Sequence, residues 1–151
     1  MLREAFAERL KSAMKARDPR TVSTVRLILA GLKERDVAAR GEGNAAGLAD
    51  PEIARLLQSM IKQRRESIAL FEQGKRADLA QQEAEEIAII ESFLPRQMSD
   101  DEIAAAARAA IAETGAADLR DMGKAMGLLR ERHAGVIDLA RAGAIVKQLL
   151  S

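Results

Sequence analysis

Apolar residues recur at helical spacing along this chain, and Pro and Gly cut the pattern into segments. That feature limits the fold to helix packed on helix. Leu2, Phe6, Leu10, Ala13 and Met14 form one stripe over Leu2 to about Arg17. Asp18-Pro19 breaks it, because Pro disfavours helix in the residue before it and suits the first position of the next helix. The second helix carries Val22, Val25, Ile28, Leu29 and Leu32 on one face and fades by Arg40. Gly41–Ala49 (GEGNAAGLA) has only Leu48 as a large apolar residue and reads as a mobile loop. Asp50-Pro51-Glu52 combines a capping Asp, Pro at the first helical position and an acid near the positive helix end. It starts a third helix that runs to Gln73, with Gly74 as its stop. A fourth covers about Ala77 to Phe93 and ends at Pro95. Ser99 and Glu102 have the capping-box spacing and start a fifth, which Gly115 stops. Asp118 or Asp121 starts a sixth, ending near Gly135, and Asp138 caps a seventh that continues to Leu150. Only 2% of the 151 residues are aromatic, and β-branched residues are scarce, so the composition agrees. The expected fold class is all-α. About four helices form an N-terminal bundle over residues 1–96, and three form a small module over residues 97–151, divided at the link Pro95–Met98.

The same sequence narrows the chemistry. The chain has no Cys, which removes disulfides, zinc–thiolate sites, iron–sulfur clusters and Cys nucleophiles. A Cys-free chain is compatible with the cytoplasm, the expected location. No apolar run is long enough to span a membrane, and the charges among Met1–Lys15 do not suit a signal peptide. The one His, His133, cannot supply a zinc or iron site, and its place beside Gly135 suits a structural or surface role. No phosphate-cradling Gly-rich motif and no G-x-S-x-G occurs. Glu83, Glu85 and Glu86 point in different directions on a helix, so a solvated face explains them better than Mg²⁺. No catalytic residue, metal site or cofactor is therefore expected. The net charge of +1 conceals segregation: residues 1–76 carry 16 Lys/Arg against 10 Asp/Glu, and residues 77–102 carry 1 against 8. A basic first half fits a polyanion partner, although a helical hairpin whose two arms carry opposite charge and neutralise each other is the plainer reading of the pattern.

Two local features carry sharper expectations. Ile53, Leu57, Met60, Ile68 and Phe71 fall within about 80° on the third helix, and Arg64 falls in the middle of that stripe. On the fourth, Glu83 and Glu86 fall among Leu79, Ile87, Ile90 and Leu94. A turn near Gly74–Arg76 brings residue 64 level with about residue 87, so Arg64 should clamp Glu86, or Glu83 one turn away. Lys62 and Arg65 point elsewhere and are free for solvent or a partner. In Asp121-Met122-Gly123-Lys124-Ala125-Met126-Gly127, two glycines stand four apart on one helix face, each costing about 1 kcal/mol relative to Ala. Close approach of another helix is the plainer way to offset that cost. Close approach of an RNA backbone, with Lys124 beside it, is the functional one.

The chain resembles the GatB/YqeY family, and specifically its stand-alone YqeY-like members. The resemblance rests on TVRLILAGLKERDVAARG (Thr21–Gly41), IKQRRESIALFEQGKRADLAQQEAEEIAIIESFLPRQMSDDEI (Ile61–Ile103), DMGKAMGLLRERHAG (Asp121–Gly135) and DLARAGAIVKQLL (Asp138–Leu150). It implies an all-helical fold related to the C-terminal region of the GatB subunit of tRNA-dependent amidotransferase, a region implicated in gripping the tRNA body. The catalytic machinery of that enzyme lies in a β-rich cradle and a separate amidase subunit, and this sequence matches neither. The resemblance therefore implies a non-catalytic module that binds tRNA or a tRNA-associated enzyme. The alternatives are a protein-binding helical adaptor, or an accessory to carbon–nitrogen ligase activity with glutamine as amido-N-donor. The candidate RNA contacts are Lys62, Arg65, Lys75, Arg76, Gly123, Lys124, Gly127 and Lys147. Arg64, Glu83 and Glu86 are the expected structural ion pair.

Overall fold

Helix ends in this protein are set by side chains and turns that satisfy open backbone groups, some from far along the chain. The structure is a computed structural model, and it describes residues 1–151. Seven α-helices follow one another: α1 (Leu2–Lys15), α2 (Pro19–Gly41), α3 (Asp50–Gln73), α4 (Ala77–Glu91), α5 (Asp100–Thr114), α6 (Met122–Arg132) and α7 (Leu139–Leu150). A single 3-10 turn, Leu119–Asp121, precedes α6, and there is no strand. No helix is long and apolar enough to cross a membrane. The chain forms two compact units, Met1–Leu94 and Pro95–Ser151.

In the first unit, α1 to α4 surround a core of Phe6, Val25, Ile28, Leu32, Ile53, Leu57 and Ile90. The apolar stripes meet there, and their burial supplies the main driving force. Phe6 and Phe93 pack edge to face with ring centroids 4.8 Å apart, and the Arg9 guanidinium lies 5.7 Å from the centre of the Phe93 ring. Asp18 caps α2, accepting from the Thr21 N–H at 3.2 Å, with Pro19 at the first position.

Asp50 does not cap its own helix. Ala49 holds the cap position, and its N–H donates to the Glu52 carboxylate at 3.4 Å. Asp50 instead accepts from the Leu2 N–H at 3.4 Å, serving the first turn of α1. Gly74 likewise differs from expectation. It keeps a right-handed φ of −81°, and Lys75 takes the left-handed conformation at φ 57° while the Arg76 N–H reaches back to the Phe71 carbonyl.

The loop after α2 is exposed over residues 42–46 and pinned at its far end. Asp36, buried on the inner face of α2, accepts two hydrogen bonds from the Arg3 guanidinium, each 2.8 Å, and a third from the Leu48 N–H at 2.9 Å. Arg3 also donates to the Leu48 carbonyl. Gly47 sits against this group with φ +77°, and a Cβ there would collide with an Asp36 carboxylate oxygen.

In the second unit, α5 to α7 enclose Ile103, Ala107, Ala110, Ala125, Leu129, Ile137, Ala142 and Val146. Small residues let these short helices approach closely. Ser99 and Glu102 form the reciprocal capping box, with N···O distances of 3.2 and 3.1 Å. The Glu102 carboxyl is held down to about 2, chiefly by Arg96 and then by the Ser99 N–H. Asp118 caps the 3-10 turn, Asp121 accepts from the Ala117 N–H, and α6 begins after both. Asp138 accepts from the N–H groups of Ala140 and Arg141 at the start of α7.

Candidate nucleic-acid interface

Two places in the fold concentrate charge or bare backbone: the α3–α4 hairpin and the outer face of α6. On the hairpin, the stripe of α3 buries Ile53, Leu57 and Met60, and Arg64 follows one turn later. Arg64 Nε donates to Glu86 Oε2 at 3.0 Å and lies 4.0 Å from Glu83 Oε2, while Nη1 donates to the Met60 carbonyl. The Arg64 and Glu86 side chains are only 12% and 10% exposed, so this pair lies inside the hairpin. Arg20, at the start of α2, adds a second cation, 3.7 Å from Glu86 and 3.3 Å from Glu85. Sequence reasoning missed Arg20. Two largely buried carboxylates facing one Arg left a charge unmatched, and that surplus is the signal that could have found it. Burial, followed by the nearby Glu86 charge, raises the Glu83 carboxyl above its ordinary range. This cluster ties α2, α3 and α4 together, and its charges are met within the fold.

The remaining cations named from the sequence divide by what they touch. Arg65 is not free: its Nη2 lies 3.4 Å from Glu91 across the hairpin, because the turn brings α4 back along that side of α3 as well. Arg76 is closed onto Asp78 by two hydrogen bonds of 3.1 and 3.0 Å. Lys62, Lys75, Lys124 and Lys147 are exposed and make no ion pair. The sequence reading also passed over an outer line on α2. Arg26, Lys33 and Arg40 recur every seven residues, all exposed and none paired with a carboxylate, with Ala30 and Val37 between them. Arg40 donates only to the Ala45 carbonyl.

On α6, Met122, Ala125, Met126 and Leu129 turn toward the small core. Gly123 and Gly127 lie on the other side, about 40° apart around the helix. Both are exposed, and a Cβ built at either would meet nothing within 4 Å. Helix packing therefore does not occupy them. The glycine that does face α6 is Gly143 on α7, where a Cβ would make ordinary contact with the end of Met122 at 3.7 Å and that of Met126 at 4.0 Å. Lys124 and Arg130 flank the bare strip, both exposed and without ion-pair partners, and Glu131 shares its lower end. Lys124 stands near the N-terminal end of the strip, where the helix dipole is also positive, and Arg130 stands in the last turn. His133 closes α6 as its C-cap residue.

The sequence profile of the family described as Yqey-like protein matches residues 3–150. The chain belongs to the YqeY-like family. Among curated relatives, the "Altered inheritance of mitochondria protein 41, mitochondrial" of Lachancea thermotolerans is 35% identical over 85 residues, which is 56% of this chain and 43% of that protein. The protein of the same name from Kluyveromyces lactis is 33% identical over 89 residues, 59% of this chain and 46% of that one. An uncharacterized protein of Schizosaccharomyces pombe is 26% identical over 99 residues, 66% of this chain and 76% of that one. The chain spans about half the length of the mitochondrial relatives it matches.

Proposed function

We propose that this YqeY-like protein is a helical module that binds tRNA through shape and backbone contacts and does no chemistry of its own. The observation that carries this reading is the bare strip of α6. A glycine inside a helix costs about 1 kcal/mol relative to Ala. Nothing in the fold comes within 4 Å of the space beside Gly123 or Gly127. The compensation for that cost lies outside the chain, and Lys124 and Arg130 at the edges favour an anionic backbone. The unpaired cations of the first unit support the same partner. The chain has no Trp or Tyr, and of its three Phe, Phe6 is fully buried, Phe93 packs against it and Phe71 is half-buried, which disfavours recognition by base stacking. The cytoplasm as place of work and a link to glutamine-dependent amidotransfer belong to this proposal and rest on the family resemblance.

A second reading, a protein-binding adaptor, draws on exposed Leu27, Val37 and Leu70. Filter binding of unmodified tRNA over a range of salt separates the two. RNA held through phosphates loses affinity steeply as salt rises, whereas an apolar protein interface does not. Gly127→Ala and Lys124→Ala should each weaken tRNA binding with the fold intact. Unaltered affinity in both variants removes α6 from the site and favours the adaptor.

A further inference from the structure

The second unit carries another open surface, away from the glycine strip. Asp100 at the start of α5 pairs with Arg141 near the start of α7 at 3.2 Å, so these helices run the same way side by side. Between them lies a groove of about 700 Å³. Its apolar lining is Ala104, Ala144, Ile145 and Leu149, and Leu149 is 38% exposed. Asp101 stands at one end and Arg108 at the other, both exposed and neither in an ion pair. The residues that continue the outer face of α5, Ala105, Ala109 and Ala112, are exposed and uncharged.

We propose that the α5–α7 groove takes a second copy of this chain, with the two α5 helices antiparallel and Asp101 of each copy against Arg108 of the other. The groove carries its own complement. The acid and the base stand seven residues apart, about 10 Å along the helix, on either side of an apolar centre. A two-fold axis over Ala104–Ala105 places each end on the opposite end of the partner and satisfies both charges twice. Small side chains at the centre allow the helix axes to approach to about 8 Å. A partner of uniform charge would meet one favourable end and one repulsive end.

Sedimentation velocity on the full chain without RNA, from low micromolar to several hundred micromolar at low salt, tests this directly. The expected result is a reversible monomer–dimer equilibrium. Asp101→Arg and Arg108→Asp should each raise the dissociation constant at least tenfold. An equimolar mixture of the two variants should recover it. In the mixed dimer the introduced base of one copy faces the introduced acid of the other, and the native Asp101 and Arg108 that remain face each other. Ala105→Arg, at the proposed axis, should abolish the dimer while circular dichroism shows an unchanged helix content. A wild-type chain that stays monomeric throughout overturns the proposal. So does a dimer indifferent to both charge variants, or one that mixing does not restore.

Discussion

Arg64 shows what one residue contributes when its surroundings are complete. It is nearly buried and shares Glu86 with Arg20, so removing it leaves Glu83 and Glu86 with one cation fewer. Arg64→Met should lower stability by roughly 3 kcal/mol, measured by urea unfolding. Glu83 has the opposite sign. Its carboxyl is raised by burial, so its charged form costs stability at neutral pH, and Glu83→Gln should leave stability unchanged or slightly higher at pH 7. Asp36 behaves as a stabilising acid. The Arg3 guanidinium, then the Leu48 N–H, hold it well below the usual carboxylate range. Its contribution is complete above the ordinary pKa of 3.8 and is lost as pH falls below that value toward the depressed one. Asp36→Asn should therefore lower stability at pH 7 and flatten its fall below pH 4. Gly47→Ala should cost about 2–4 kcal/mol, because the left-handed backbone is strained with a side chain and the Cβ displaces the Asp36 carboxylate. Arg64 was legible because both partners stand on helical stripes joined by one turn. The Arg3–Asp36 clamp was not, because its partners are 33 residues apart. Asp36 did fall one turn beyond Leu32 on an apolar face, which was the available warning.

At the scale of elements, the legible boundaries were those set by neighbouring residues. Ser99 with Glu102, Gly115 and Asp138 each act within a few positions, and each works where the sequence placed it. Asp50 had the right composition for a cap, but it serves a helix 48 residues away, and local pattern carries no record of that. The end of α3 turned on one residue of register. The bond from the Arg76 N–H to the Phe71 carbonyl puts Lys75, not Gly74, in the left-handed position. Lys75→Gly should therefore stabilise the protein by about 0.5–1 kcal/mol, read as a rise in Tm. For α6 the expectation from spacing was packing, and the structure leaves both glycines open. The i, i+4 spacing identifies a shared face but not whether anything covers it. Gly127→Ala meets no neighbour and should raise stability by up to about 1 kcal/mol through helix propensity alone. A large loss of stability would mean that the strip is covered in solution.

For the molecule as a whole, the helical class followed from one periodicity, whereas the ligand depends on which charges remain unspent after folding. Formal charge puts every Lys and Arg of the first half on the same footing. The structure separates them, because Arg20, Arg64, Arg65 and Arg76 already face carboxylates. Lys62 does not, nor do Arg26 and Lys33 on the outer line of α2, and in the second unit Lys124 is likewise without an ion-pair partner. Only the second group can exchange counterions for phosphates without first breaking a contact. Under the proposed tRNA reading, Lys124→Ala should reduce the slope of log affinity against log salt by about one, and should do so equally for different tRNAs. Arg26→Ala combined with Lys33→Ala should reduce it by about two if the α2 line lies along the same RNA. Arg76→Gln should leave the slope almost unchanged, because Asp78 already neutralises that guanidinium. A slope that responds equally to every cation removed would mean that net charge, and not these positions, attracts the RNA. That result would detach the bare face of α6 from binding, and its two glycines would again need a different partner.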